Sequence, residues 1–224
     1  MECVLGLVGR DFAVVAADTS AVQSILVHKT DEDKVMVLDS HKLLGASGEP
    51  GDRVQFTEFI QKNLHLYQFR NTIPLSTAAA ANFTRGELAT ALRKNPYMVN
   101  VILGGYDKDV GASLYYIDYI ATLHKIDKGA FGYGSYFCLS LMDRLYRPDM
   151  TVEGAVDLVD KCSKGDPGCR LGCGGPETSL IKNRPTKDRG QGSNPKAGNS
   201  VGRTVGPWLE SLQLNGWPPL EGIE

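Results

Sequence analysis

Residues 1–20 read MECVLGLVGRDFAVVAADTS. Two apolar runs, Val4 to Val8 and Phe12 to Ala17, flank the polar turn Gly9-Arg10-Asp11. Short valine-rich runs on either side of a glycine turn predict a β-hairpin. The second run ends on Asp18, an acid at the close of an otherwise apolar strand. A carboxylate carried inward on such a strand needs a charged or hydrogen-bonding partner.

Reading outward from the hairpin, strands are predicted at residues 24–29, 34–38 and 42–46, at the close spacing of an antiparallel sheet. Two helices follow. Asp52 is placed to cap the first, over about 53–67, with Val54, Phe56, Phe59, Ile60, Leu64 and Tyr67 on an apolar face. Ser76 is the expected N-cap of the second, which is rich in alanine and stops before Pro96. Residues 98–106 form a nearly continuous apolar run, as in a strand buried on both faces. Strands over 113–118 and 121–125 complete a meander. The turn Gly132-Tyr133-Gly134-Ser135 then leads into a helix to about Tyr146, and Thr151 caps a fourth helix bearing Val152, Ala155, Val156 and Val159. Strands and helices thus come in segregated blocks, the pattern of an α+β fold.

Composition narrows the function. The 224 residues carry a net charge of −2, without the basic surplus of a nucleic-acid binder. No apolar run approaches the roughly 18–20 residues of a transmembrane helix, so no membrane partner is expected. The start lacks a basic stretch followed by an apolar one, so Met1 is expected to be the true start and the compartment reducing. Five cysteines, an odd number, fit free thiols better than a disulfide framework. The sequon Asn82-Phe83-Thr84 falls in a helical pattern and is expected to stay unmodified.

The composition shifts at Cys162. Apolar residues make up about half of 1–162 and roughly a quarter of 163–224. The latter holds 12 of the 25 glycines and 7 of the 11 prolines, and none of the phenylalanines or tyrosines. Two parts are therefore expected: a domain over 1–162, cut short in its fourth helix, and a disordered Gly/Pro-rich tail over 163–224. Gly165, Pro167 and Gly168 should end the helix, and no strand of period two is legible beyond it. We read the tail as the product of an altered reading frame or a retained intron.

Several stretches taken in order carry a resemblance. Ala16-Ala17-Asp18, Asp33-Lys34-Val35, Gly45-Ala46-Ser47-Gly48 with Asp52, and Phe131-Gly132-Tyr133-Gly134-Ser135 resemble the proteasome β subunits. The longer GDRVQFTEFIQKN, TAAAANFTR and LYYIDYIATLHK resemble one plant branch of that family. The resemblance covers about 1–162 and implies the N-terminal-nucleophile hydrolase fold: two stacked antiparallel sheets flanked by helices, an αββα sandwich, here incomplete at its C-terminus.

In catalytic members of that family an N-terminal threonine attacks the peptide carbonyl, supported by an acid, a lysine and an oxyanion glycine. By resemblance Asp18 falls at the acid, Lys34 at the lysine and Gly48 at the oxyanion glycine. Glu2 occupies the nucleophile position and has no hydroxyl. Tyr133 stands where the family has a serine. The resemblance therefore implies a structural, non-catalytic subunit of the 20S core. Such a chain is not an enzyme by itself, but a component of a threonine-type endopeptidase complex. Its implied partners are the other α and β subunits of a 28-subunit core and, indirectly, the regulatory particle. The implied compartments are cytoplasm and nucleus, and no cofactor is implied.

Two alternatives remain open. Removal of Met1 and Glu2 would leave Cys3 as an N-terminal thiol nucleophile, but Cys3 lies one residue out of register, on the opposite strand face. Alternatively, the chain is an unstable isoform that does not assemble, since missing closing strands would leave an unpaired sheet edge. Cys162, Cys169 and Cys173 are spaced as a weak metal motif with no histidine after them, and no metal is expected. His28, His41, His65 and His124 are scattered and read as surface or core residues. The tail glycines from Gly190 to Gly202 do not form a phosphate-binding loop, because no GK[ST] follows them.

Overall fold

The computed structural model describes residues 3–23, 26–164, 176–182 and 200–205. The opening hairpin forms as read, β1 (Cys3–Val8) against β2 (Phe12–Asp18). Next come β3 (Ala21–Gln23), β4 (Leu26–Lys29), β5 (Val35–Asp39) and β6 (Lys42–Gly48), then α1 (Pro50–Asn71) and α2 (Thr77–Ala91). The chain continues through β7 (Val99–Asp107), β8 (Gly111–Ile117), β9 (Leu123–Ile126) and β10 (Lys128–Gly132). It then enters α3 (Ser135–Leu145), α4 (Val152–Lys164), β11 (Pro176–Lys182) and β12 (Ser200–Val205).

Strands β10-β1-β2-β11-β12 form one antiparallel sheet, and β5-β6-β7-β8-β9 form another. The period-two alternation of β1 and β2 sorts their side chains between two layers. Val4, Val15 and Ala17 face the other sheet, meeting Leu43, Ile102 and Leu114. Cys3, Leu5, Leu7, Phe12, Val14 and Ala16 face α3 and α4, meeting Met142, Leu158 and Val159. Helices α1 and α2 cover the outer face of the second sheet through Phe56, Ile60 and Leu88 against Leu44, Val101 and Leu103. The result is the expected αββα sandwich with three apolar layers. Each fully buried leucine or phenylalanine contributes about 1.5–3 kcal/mol.

Local chemistry explains most element ends. The Ser76 hydroxyl accepts from the Ala79 N–H at 3.2 Å, the predicted cap of α2. Thr151 caps α4 in the same way, accepting from the Gly154 N–H. Helix α1 departs from the prediction. Pro50, with its preset φ, starts it, and Asp52 instead accepts from the Met98 N–H at 3.0 Å. Its buried stripe is also narrower than read: Phe56, Ile60 and Leu64 are buried, whereas Val54, Phe59 and Tyr67 are exposed. Arg53 and Thr57 take the flank instead, Arg53 donating to Glu32 Oε1 at 2.7 Å. Helix α2 ends at Ala91, ahead of Pro96, and Asn82 and Thr84 of the sequon bond back to the carbonyls of Ala78 and Ala80.

Three strands late in the chain were not legible in the sequence. β10 pairs with β1, Cys3 opposite Gly132. Beyond Cys162, β11 and β12 correct the reading that no strand follows. β11 runs antiparallel to β2 from Pro176 opposite Asp18 to Lys182 opposite Phe12, and β12 pairs with β11. The backbone groups along the outer edge of β2 need partners, and that demand outweighs the weak pattern of the segment. Helix α4 is described through Lys164, and the reading that Gly165, Pro167 and Gly168 end it lies outside the described residues. The remaining readings on the tail fall outside the described residues, as do Glu2, Cys169 and Cys173.

Candidate functional site

The end of β2, the start of β1 and the segment before β5 converge on one buried ion pair. Lys34 Nζ lies 3.0 Å from both Asp18 Oδ1 and Asp18 Oδ2. A third Nζ contact, at 2.9 Å, is to the Ser20 carbonyl, matching the three N–H bonds of an ammonium. The carboxylate also accepts from the backbone N–H of Cys3 at 2.8 Å and of Ser20 at 3.3 Å. The Asp18 and Lys34 side chains are 2% and 1% exposed. A pair this buried persists only when hydrogen bonds satisfy the remaining lone pairs, as they do here.

Gly48 closes β6, the strand whose Ala46 N–H donates to the Lys34 carbonyl. Its φ is 143°, and a Cβ there would lie 2.0 Å from the Met98 carbonyl oxygen. No other residue type fits that turn. Sequence resemblance had brought Asp18, Lys34 and Gly48 together; the fold pairs the first two directly and ties the third to Lys34 through β6. Tyr133 is 71% exposed, on the turn beside Cys3. In that turn Gly134 packs so closely that a Cβ would lie 2.6 Å from Cys3 Sγ.

The thiol of Cys3 points away from Asp18 and into the layer under α3 and α4, as the alternation of β1 requires. It meets Cys138 of α3 and Cys162 of α4, all three being free and buried. The Cys138 thiol is pushed up by its hydrogen bonds with the Cys162 and Cys3 sulfurs and by burial, so it stays protonated. Ser20 and Cys138 escaped the sequence reading. An acid two residues before a serine signals an Asx turn, which could have marked Ser20, but nothing local marks Cys138.

Among the described residues no group of histidines, cysteines or acids is arranged to hold a metal ion. None of their helices is long and apolar enough to cross a membrane. The geometry offers a locked ion pair and a well-shaped glycine turn.

Comparison with known proteins places this arrangement in context. The family model described as "Proteasome subunit" matches residues 1–164. Proteasome subunit beta type-2 of Oryza sativa subsp. japonica is 91% identical over 164 residues, covering 73% of this chain and 77% of that protein. Proteasome subunit beta type-2-B of Arabidopsis thaliana is 80% identical over 162 residues, covering 72% and 81%. Proteasome subunit beta type-4 of Saccharomyces cerevisiae is 42% identical over 164 residues, covering 72% and 83%. The family match ends at Lys164, the last residue of α4.

Proposed function

From the premise that this chain belongs to the proteasome subunit family, we propose that it is a non-catalytic β subunit of the 20S core particle. It fills one place in the β ring, holds its neighbours in position and helps wall off the proteolytic chamber. Its partners are the other α and β subunits of the 28-subunit core, with the regulatory particle acting indirectly. It works in cytoplasm and nucleus, and residues 1–162 carry the role.

One observation carries the non-catalytic reading. The acid and lysine of the family site are bonded to each other, the acid also accepts from the Cys3 N–H, and residues 1–8 contain no serine or threonine. An acid–lysine pair with no hydroxyl at the start of β1 lacks the group that attacks a peptide carbonyl in this class of site. The Cys3 thiol does not supply one, because it is turned toward Cys138. The remaining ion pair holds the β1 start, the β2 end and the β5 approach together.

The test is a pull-down of tagged chain followed by native electrophoresis and labelling with a peptide vinyl sulfone, which alkylates active-site nucleophiles. The reading expects migration with a 20S-sized particle and no label on this chain. Migration as a monomer, or label at Cys3, overturns it.

A further inference from the structure

Three elements distant in sequence bring three thiols into one buried cluster: Cys3 from β1, Cys138 from α3 and Cys162 from α4. The Sγ atoms of Cys3 and Cys138 are 3.6 Å apart. Cys162 closes the third side, its Sγ 4.0 Å from the Cys138 carbonyl and its own carbonyl 3.9 Å from Cys138 Sγ. A disulfide needs a sulfur separation of about 2.05 Å. The Cys3 and Cys138 sulfurs must therefore close by about 1.6 Å, a movement within reach of side-chain rotation.

We propose that Cys3 and Cys138 are an oxidisable thiol pair, which a hydroperoxide converts to a disulfide that staples β1 to α3. Cys3 is the entry point, being 9% exposed where Cys138 is 1% exposed. Its sulfur attacks hydrogen peroxide, the O–O bond breaks, one oxygen stays as the sulfenic acid, and the other leaves as water with the thiol proton. The Cys138 sulfur then attacks the Cys3 sulfur, and the S–O bond breaks. The hydroxide leaves with the Cys138 proton as a second water. Two thiols lose one electron each, and one peroxide is reduced to two waters. Cys138 keeps its proton until the sulfenic acid forms beside it, which shields it from direct oxidation.

The staple has a place to act. Cys3 is the residue whose backbone N–H binds Asp18 Oδ1. Tethering its side chain to α3 fixes the start of β1 from both sides, by the backbone to Asp18 and by sulfur to α3. A thiol-specific reductant should reverse the link.

The experiment treats the full-length chain with hydrogen peroxide, alkylates the remaining thiols after denaturation without reductant, and maps the digested peptides by mass spectrometry. The expected result is a linked species joining the Cys3 and Cys138 peptides, lost on treatment with dithiothreitol. Cys162→Ser should retain the link and Cys138→Ser should lose it. Recovery of Cys3 and Cys138 as alkylated peptides overturns the proposal. So does a link from Cys138 to Cys162, or oxidation of Cys3 to an irreversible acid without a link. The wild-type peptide map alone decides, so a variant that folds poorly does not blunt the test.

Discussion

Lys34 Nζ bridges both oxygens of Asp18 at 3.0 Å, inside a site where neither side chain is more than 2% exposed. Halving such a pair leaves an uncompensated charge out of water. Asp18→Ala and Lys34→Ala should each cost about 3–5 kcal/mol. The double change Asp18→Ala with Lys34→Ala should cost much less than the sum. Urea unfolding of the full-length chain, run as a double-mutant cycle, measures this. Additive losses would mean that the two groups do not depend on each other.

Gly48 and Gly86 should respond to alanine with opposite signs. Gly48→Ala places a Cβ against the Met98 carbonyl at a positive φ, so a loss of at least about 1–3 kcal/mol follows. Gly86 sits in α2, where an added methyl group would meet nothing within 4 Å, so Gly86→Ala should gain about 0.5–1 kcal/mol. Thermal unfolding midpoints of the two variants make the comparison.

Acid should weaken the β5–β6 end of the second sheet through His41. Lys42, wholly buried, donates from Nζ to His41 Nε2 at 2.7 Å and to Asp39 Oδ2 at 2.6 Å. Nε2 therefore accepts, and Nδ1 carries the proton that faces Asp39 Oδ1 at 3.1 Å. Burial holds the His41 pKa below its ordinary 6.5, with the Lys42 charge adding to this and the Asp39 and Asp107 charges opposing it. The folded state thus binds this proton less readily than the unfolded chain. The resulting stability is complete above pH of about 6.5 and is lost as pH falls from there through the folded value. The urea midpoint should drop between pH 8 and pH 5, and His41→Gln should flatten that slope. An unchanged slope would move the acid response elsewhere.

Two phenylalanines separate core from surface. Phe56 is 0% exposed under α1 and Phe69, on the same helix, is 91% exposed. Phe56→Ala should cost about 3–5 kcal/mol. Phe69→Ala should stay within about 0.5 kcal/mol of the parent. Denaturant titration of both variants checks this, and similar losses would mean that α1 packs by its other face.

What the sequence revealed followed the range of each interaction. The β1–β2 hairpin, the Ser76 and Thr151 caps and the buried run of β7 were legible because their causes lie within a few residues. Asp52 was misread as a cap because its true partner, the Met98 N–H, is 46 residues away. β10 passed unseen because Lys128 and Gly129 are poor strand formers, and pairing with β1 overrides that preference. β11 went unread for the same reason, its placement being set by the edge of β2. In the site, resemblance picked out Asp18, Lys34 and Gly48, but their geometry required the fold. The Cys3–Cys138 contact spans 135 residues and leaves no periodic trace.

The pairing of β11 with β2 changes how the unmatched part of the chain should be regarded. Pro176 lies opposite Asp18, so residues 176–182, beyond the family match, pair with the strand that carries the buried acid. Their sequence is accordingly under two kinds of inheritance: the freedom of a segment outside the family match, and the discipline of pairing with a strand inside it. A change at residues 176–182 that spoils strand geometry would be felt first by the amide protons of β2, which would exchange with solvent sooner.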